Sequence, residues 1–253
     1  MSARLHAIQA GLPHLPPVVL LHGFGMVSEC FSSILQALSG QRHALAFDLP
    51  GHGGSLDHPL FGSARKCADA VIAELEIRAL GPVALVGHSF GGAVASLVTI
   101  ARPDLISRLV LLAPGGFGPE INAALLRRFA KALSPAEVKA CVQEMASPGL
   151  RDIEYATKTL AAMRKVPGQT SKLIELSGRF LHGEEQGVLP LEALAATGIP
   201  VDVVWGELDT IVPVIHGMLA PASFCKTIIA GAGHMLVEEA LDNIARIVLQ
   251  HGR

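Results

Sequence analysis

One stretch of sequence, VALVGHSFGG at residues 83–92, decides the fold of this chain. Its first four residues are apolar, as in a buried strand of a parallel sheet, and the apolar run that continues to Ala101 predicts a helix. Between the two lies Gly87-x-Ser89-x-Gly91. In a sharp strand–turn–helix junction, glycine at both flanking positions avoids Cβ clashes and lifts the serine hydroxyl above the sheet. Ser89 is therefore the predicted catalytic nucleophile.

Further buried strands flank this stretch on both sides. Apolar runs without alternation predict strands at residues 18–21, 44–47, 109–112 and 201–205, with edge strands at 4–9 and 226–229. Helical periodicity is found at residues 64–80 and in a C-terminal stripe of Val237, Leu241, Ile244 and Val248. Strands that alternate with helices predict an α/β fold with a mostly parallel, doubly wound sheet.

The alternation is interrupted between residues 116 and 198. This stretch shows no convincing strand, but helical patterns occur at residues 120–131, 135–145, 153–165 and 170–180. Ser134, Pro135 and Glu137 form a good helix start, with an N-cap, a first-turn proline and a capping-box glutamate. We therefore predict a sheet-based core of residues 1–115 and 199–253, and an inserted helical cap of residues 116–198.

Composition limits the classes of function. The 253 residues are 50% hydrophobic and 17% charged, which suits a large buried core rather than a disordered chain. A net charge of −2 gives no long-range attraction to nucleic acid or to an anionic membrane. The 11 histidines show no metal-ligand spacing, so neither a metal nor another cofactor is expected. The longest apolar stretch, residues 83–101, is broken by glycine and polar residues and does not predict a membrane span.

The N-terminus and the cysteines favour a cytoplasmic location. Residues 1–11 contain no continuous apolar segment of the kind found in signal peptides. The cysteines lie far apart and are expected to be free thiols in a reducing compartment: Cys30, Cys67, Cys141 and Cys225. A small-molecule substrate is the one partner that the sequence predicts, and a homo-oligomer is not indicated.

A nucleophilic serine needs a base, and the base needs a carboxylate that orients it. His234, in the sequence GAGH at residues 231–234, follows the last predicted strand and lies on the same edge of the sheet as Ser89. Asp209 follows the strand at residues 201–205 and is the predicted orienting acid. Glu207 is its nearest rival, and Asp202, inside the strand, is a poorer candidate.

An oxyanion hole is predicted from the sequence HGFG at residues 22–25, directly after a strand. Glycine-rich chain at this point lets a backbone N–H group face a developing oxyanion. We assign one donor to Phe24, with Gly23 as the alternative, and the second to Phe90. An ordinary tight turn is the non-functional interpretation. The sequence DLPGHGGS at residues 48–55 predicts a loop shaped by hydrogen bonds of Asp48, without a catalytic role.

With these motifs in place, the chain resembles the α/β-hydrolase superfamily along nearly its whole length. The glycine-rich loop, the serine turn, and the loops of Asp209 and His234 follow one another in the family's order. The sequence LLAPGGFGPEIN at residues 111–122 resembles the hydrolase-like domain of acetoin dehydrogenase acetyltransferase components. Such proteins carry an N-terminal lipoyl domain, whereas this chain begins at the hydrolase portion. We therefore do not expect it to act alone as a swinging-arm acyltransferase.

The chain is also similar to carbon–carbon bond hydrolases of aromatic meta-cleavage pathways, which share this fold and triad. The arginine that binds the substrate carboxylate in that family has three candidates here: Arg127, Arg128 and Arg179. Haloalkane dehalogenases and epoxide hydrolases carry aspartate at the nucleophile position, so Ser89 argues against both.

The expected activity is that of a serine hydrolase acting on a small to medium, largely apolar ester or thioester through an acyl-enzyme. A carbon–carbon bond hydrolase and a non-catalytic interaction module related to acyltransferase complexes are the alternatives. Several apolar residues of the cap region are candidates for the walls of the acyl pocket, although each could equally pack the cap onto the core: Phe117, Leu125, Leu126, Phe129, Tyr155, Phe180 and Val212.

Overall fold

The structure is a computed structural model that describes residues 3–148, 150 and 153–250. The described strands form a seven-stranded sheet and a separate two-stranded ribbon. In chain order they are β1 (Ala7–Ala10), β2 (Pro17–Leu21), β3 (His43–Phe47), β4 (Val83–His88), β5 (Ile106–Leu112), β6 (Leu181–His182), β7 (Glu185–Gln186), β8 (Val201–Gly206) and β9 (Cys225–Ile229). The sheet order is β1-β3-β2-β4-β5-β8-β9, and within it only the β1–β3 pair is antiparallel.

The helices occupy the connections between these strands. In chain order they are α1 (Ser32–Leu38), α2 (Ala64–Ile77), α3 (Phe90–Ala101), α4 (Ala123–Lys131), α5 (Pro135–Met145), α6 (Glu154–Arg164), α7 (Gln169–Phe180), α8 (Leu191–Ala195), α9 (Ile215–Met218), α10 (Leu236–Glu239) and α11 (Leu241–Leu249). Helix α1 packs against α11, and α2 packs against α3. The central strands β2 and β3 are buried along nearly their whole length, as expected for a sheet covered on both faces.

The predicted strands and the core helices are found close to their expected positions. Individual ends shift by up to three residues. Two differences concern the two ends of the chain. The N-terminal edge strand begins at Ala7 rather than at residue 4. The C-terminal stripe, predicted as one helix, is divided into α10 and α11 at Ala240, whose φ of −142° and ψ of 36° are not helical.

Helices α4–α7 form the insertion between β5 and β8, with α4 against α7 and α5 against α6. The predicted helix start at Ser134 is present as a complete capping box with Glu137. The expectation of no strand in this region is wrong, because β6 and β7 form a short antiparallel ribbon. Two-residue strands show no alternation that a sequence pattern could reveal.

The parallel strands bring four functional loops to one edge of the sheet. The segments after β2, β4, β8 and β9 all leave at the carboxyl ends of their strands, and β2 and β4 are direct neighbours. In open α/β sheets, ligand sites form at this edge. The sheet therefore gathers the predicted site residues from distant parts of the chain.

The structure also bears on the cysteines, on membrane-spanning helices and on metal sites. The four cysteines are free thiols, as predicted, and three of them are buried. None of the described helices combines the length and the apolar character that crossing a bilayer requires. Over the described ranges, no cluster of His, Cys, Asp and Glu side chains is suited to hold a metal ion.

Candidate active site

Ser89 occupies the sharp turn between β4 and α3. Its φ of 53° and ψ of −118° are strained for a residue with a side chain. The turn is held from both sides, because Ser89 N–H donates to Leu112 O (2.9 Å) and Ser89 O accepts from Gly115 N–H (3.0 Å). A Cβ atom on Gly91 would lie 2.2 Å from Leu21 O, so only glycine allows α3 to begin this close to β2. The Gly-x-Ser-x-Gly motif therefore corresponds to a turn at which α3 begins in close contact with β2.

His234 and Asp209 meet above the same edge of the sheet. His234 Nδ1 lies 2.8 Å from Asp209 Oδ2, and both side chains are buried. The other carboxylate oxygen, Oδ1, accepts hydrogen bonds from the N–H groups of Ile211 (2.8 Å) and Val212 (3.0 Å). Because the ionised carboxylate is a pure acceptor, it requires the proton on Nδ1 and leaves Nε2 free to act as a base. This is the geometry of the histidine–aspartate half of a Ser-His-Asp triad.

The two rival carboxylates are engaged elsewhere. Glu207 Oε2 accepts a hydrogen bond of 2.9 Å from Gly231 N–H and supports the base of the His234 loop. Asp202 pairs with Arg108 at 2.7 Å. Neither carboxylate contacts the His234 ring, which leaves Asp209 as the partner.

His88 supports His234 from below. Its Nε2 lies 2.9 Å from the carbonyl oxygen of His234, and the two rings are 4.9 Å apart between centroids. Burial lowers the pKa of His88 to about 3, so the ring is neutral and its Nε2–H donates to the carbonyl. No sequence pattern indicates this role of His88, which stands out only by its place in the serine motif.

The glycine-rich loop at residues 22–25 lies directly beside Ser89. A Cβ atom on Gly23 would be 3.3 Å from Ser89 Cβ. In the described chain, the N–H groups of Phe24 and Phe90 donate to no protein acceptor. Both predicted oxyanion donors thus have free N–H groups.

Two buried histidines give the glycine-rich loop its shape. His22 Nε2 accepts from Leu49 N–H (3.0 Å), and His52 Nε2 accepts from Gly25 N–H (3.1 Å). Burial is the main cause that lowers the pKa of each ring, and that of His52 lies well below the usual value, so both accept hydrogen bonds as neutral imidazoles. Residues 48–55 therefore support the loop through His52, while Asp48 accepts from Ser28 N–H (2.7 Å) and Gly54 N–H (2.8 Å).

Two cavities meet at Ser89. The main cavity has a volume of about 240 Å³ and extends between α3, the insertion and the β6–β7 ribbon. The small cavity, about 10 Å³, lies between Ser89, His234 and the apolar faces of α4 and α5. Phe24, Ser89 and Leu126 line both. The candidate nucleophile Ser89 therefore lies between the main cavity and the small cavity.

The candidate pocket residues separate into two groups. Phe180 lines the main cavity, where its ring packs against those of Phe24 (5.2 Å) and Phe90 (5.5 Å), and Phe129 lines the small one. Leu126 lines both cavities, whereas the described walls of the two cavities do not include Phe117, Leu125, Tyr155 or Val212. Phe117 packs on Trp205, Leu125 and Val212 are buried, and Tyr155 lines a separate groove of about 530 Å³.

The three candidate arginines differ in whether they line a cavity. Arg127 pairs with Glu184 and Arg128 pairs with Glu144, away from both cavities. Arg179 pairs with Glu175 at 2.7 Å but also lines the main cavity, together with Gln186 and His182. Among the described residues that line the main cavity, Arg179 is the one with a guanidinium group, and most of the others are apolar.

Residues 18–247 match the Alpha/beta hydrolase family, and the chain belongs to this family. It is 29% identical over 234 residues to the dihydrolipoyllysine-residue acetyltransferase component of the acetoin cleaving system of Cupriavidus necator, and 31% identical over 234 residues to that of Pseudomonas putida. These alignments cover 92% of this chain but only 63% and 62% of the two relatives. The chain thus spans less than two thirds of their length. The resemblance inferred from the sequence is confirmed.

Solved structures of hydrolases share the fold. A carboxylesterase from Bacillus subtilis superposes with a TM-score of 0.82 at 19% identity, covering 98% of this chain and 88% of that one. The 2-hydroxy-6-oxo-6-phenylhexa-2,4-dienoate hydrolase from Rhodococcus sp. strain RHA1 gives a TM-score of 0.83 at 20% identity, covering 97% and 93%. The predicted α/β-hydrolase fold with its helical insertion is confirmed. At these identities the likeness concerns the fold alone.

Proposed function

We propose that this protein is a serine hydrolase that cleaves a small to medium, largely apolar ester or thioester. Ser89 is the nucleophile, His234 the general base and acid, and Asp209 the carboxylate that orients His234. The N–H groups of Phe24 and Phe90 form the oxyanion hole. The division into a core and a specificity-setting cap of residues 116–198 belongs to the same proposal.

The observation that carries this proposal is the buried hydrogen bond of 2.8 Å between His234 Nδ1 and Asp209 Oδ2, beside a strained serine that lines the same small cavity. A residue held in such a strained backbone conformation costs about 1–3 kcal/mol, and proteins retain such residues where the strain serves a site. The serine, histidine and aspartate come from three separate loops. A purely structural role would not require these three side chains to converge.

The proposed reaction has two similar halves. Ser89 Oγ forms a bond to the acyl carbon while its proton passes to His234 Nε2. The two backbone N–H groups stabilise the negative oxygen, the bond to the leaving alcohol or thiol breaks, and His234 protonates that group. Water then attacks the acyl-enzyme with His234 as base. The acid is released, and the proton returns to Ser89.

The main cavity supports an acyl group of limited size. Its volume of about 240 Å³ falls just below the usual 300–1,000 Å³ of small-molecule sites. The rings of Phe24, Phe90 and Phe180 form one wall. An acyl chain of a few carbons fits such a space better than a long lipid chain does.

Hydrolysis of p-nitrophenyl esters from acetyl to dodecanoyl tests the proposal, with wild type beside Ser89→Ala. We expect turnover that falls by roughly a thousandfold or more in the variant. Fluorophosphonate labelling of Ser89 is the second measurement. If the wild type turns over no ester and its serine is not labelled, the alternative of a non-catalytic module related to acyltransferase complexes replaces this proposal.

Arg179 favours one second candidate, a carbon–carbon bond hydrolase of the meta-cleavage type. Its guanidinium lines the cavity that contains Ser89, and a guanidinium suits a substrate carboxylate. Turnover of a coloured meta-cleavage product separates this candidate from an esterase. Arg179→Gln should then raise KM for that substrate but not for neutral esters. Arg127→Gln is the matched control, because Arg127 lies away from the cavity and pairs with Glu184.

A further inference from the structure

The carboxylate of Glu239, at the end of α10, accepts hydrogen bonds from three backbone N–H groups. Oε2 accepts from Gly233 N–H (2.7 Å) and from Ser147 N–H (3.0 Å), and Oε1 accepts from Met235 N–H (3.0 Å). Gly233 and Met235 are the two neighbours of His234. Ser147 belongs to the insertion, two residues after the end of α5. One side chain therefore holds the chain on both sides of the candidate base and joins it to the cap.

The backbone of His234 itself is tied to the same part of the cap. Its N–H group donates to Met145 O, the last residue of α5, at 2.9 Å. Three successive N–H groups, at residues 233, 234 and 235, thus all have acceptors, and Glu239 provides two of them. The loop of His234 and the insertion approach each other closely, because a Cβ atom on Gly233 would lie 2.6 Å from Ser147 N.

Ionised acceptors form shorter and stronger hydrogen bonds than neutral ones do. The first N–H groups of a helix have no partner inside the helix, and α10 begins directly after Met235. The Glu239 carboxylate satisfies the Met235 donor and two others in a largely buried loop. This loop carries the ring whose Nε2 must meet Ser89. A small displacement of the loop therefore acts directly on proton transfer.

We propose that Glu239 is a positioning residue for His234, and that it links the placement of this base to the docking of the cap at residues 145–147. The catalytic part of the inference rests on the function proposed above, and the geometric part does not. Glu239 contacts no substrate in this arrangement. It acts by fixing the loop from which His234 reaches Ser89 and Asp209.

The test compares Glu239→Gln with Glu238→Gln. Glutamine keeps the size of residue 239, but its NH₂ group cannot accept from the donors that the second oxygen serves. Glu238 is the matched control. Burial raises the pKa of its carboxyl to about 8, so it is neutral near pH 7 and glutamine preserves its charge state. Both variants, with wild type, are titrated with a fluorophosphonate so that kcat is expressed per reactive serine.

Two readouts separate positioning from simple loss of folded protein. We expect kcat per reactive serine to fall roughly 10- to 100-fold in Glu239→Gln with KM little changed, because misplacing a catalytic group by about 1 Å costs up to this much. The second readout is the downfield proton resonance of the His234 Nδ1–H group, assigned by its loss in His234→Gln. It should shift or broaden in Glu239→Gln and stay in place in Glu238→Gln.

The proton resonance needs no substrate, so it tests the positioning role even if every ester proves inactive. If it moves while the wild type has no turnover, the positioning of His234 stands and the proposed esterase activity fails. If it is unchanged in Glu239→Gln, the inference is overturned. Glu239→Asp, which keeps the charge but shortens the reach, provides the same comparison should the glutamine variant not fold.

Discussion

Arg164, the last residue of α6, donates a hydrogen bond of 3.1 Å from Nη1 to the carbonyl oxygen of Gly25 in the glycine-rich loop. Its guanidinium is buried, packs 4.7 Å from the ring centre of Phe129 and, within the described residues, pairs with no carboxylate. Burial lowers its pKa to about 10, which leaves it charged at neutral pH. A residue of the helical insertion thus contacts the loop that is proposed to bind the oxyanion.

Arg164→Met should lower kcat for ester hydrolysis roughly tenfold or more, because the loop loses its anchor and the Phe24 N–H group is no longer held in place. Lys165→Met is the matched control, since Lys165 is exposed at the next position. Steady-state kinetics per titrated serine provide the measurement. Equal rates in the two variants would show that Gly25 O needs no contact with the cap.

Asp209→Asn should reduce kcat by about 10⁴, because an amide no longer enforces the proton on His234 Nδ1. Glu207→Gln should leave kcat within a few-fold of wild type, since Glu207 contacts Gly231 N–H and not the imidazole. The two variants together show which carboxylate, Asp209 or Glu207, orients His234, a choice that the sequence alone leaves open. A larger loss in Glu207→Gln than in Asp209→Asn would reverse their roles.

The sequence contained enough to predict the sheet, the serine turn and the general place of the histidine and aspartate loops. Those features depend on local patterns: continuous apolar strands, glycine where Cβ atoms would clash, and the position of a loop after a strand. Gly91 illustrates the point, because the Gly-x-Ser-x-Gly spacing marks it in the sequence, even though the atom that excludes a Cβ, Leu21 O, belongs to a distant strand.

The remaining features depend on contacts between residues far apart in the chain. Arg164 meets Gly25 across 139 positions, and Glu239 meets Ser147 across 92. No local pattern marks either contact. The pocket residues show the same limit, because an apolar helix face can point to a cavity, as at Phe180, or into the core, as at Leu125. Only the packing of the whole molecule distinguishes the two.

The buried histidines predict a dependence of stability on pH. Burial lowers the pKa of His88 from 6.5 to about 3, so the unfolded chain binds a proton that the folded protein does not bind between these values. The free energy of unfolding must therefore decrease as the pH falls through this window, by up to about 1.4 kcal/mol per pH unit for this one group. Above pH 6.5 the contribution of His88 to the slope disappears.

His88→Gln should reduce that slope, since glutamine retains an N–H donor for the His234 carbonyl but does not titrate. Urea unfolding at several pH values between 7 and 4 measures it in both proteins. His22 and His52 remain in the variant, so some acid sensitivity persists. His14→Gln, at an exposed position, is the control and should leave the slope unchanged. An unaltered slope in His88→Gln would mean that His88 is protonated in the folded protein.

Two glycine-to-alanine substitutions should change stability in opposite directions. In Gly91→Ala the new methyl group would lie 2.2 Å from Leu21 O, so α3 must move away from β2. We expect a loss of about 1–3 kcal/mol or more, together with lower kcat because Ser89 moves with the helix. Gly178 lies inside α7 with open space around its Cα, so alanine should add about 0.5–1 kcal/mol by reducing the entropy of the unfolded chain. Urea unfolding measures both, and a stable, fully active Gly91→Ala would show that the turn at Ser89 does not require this close approach.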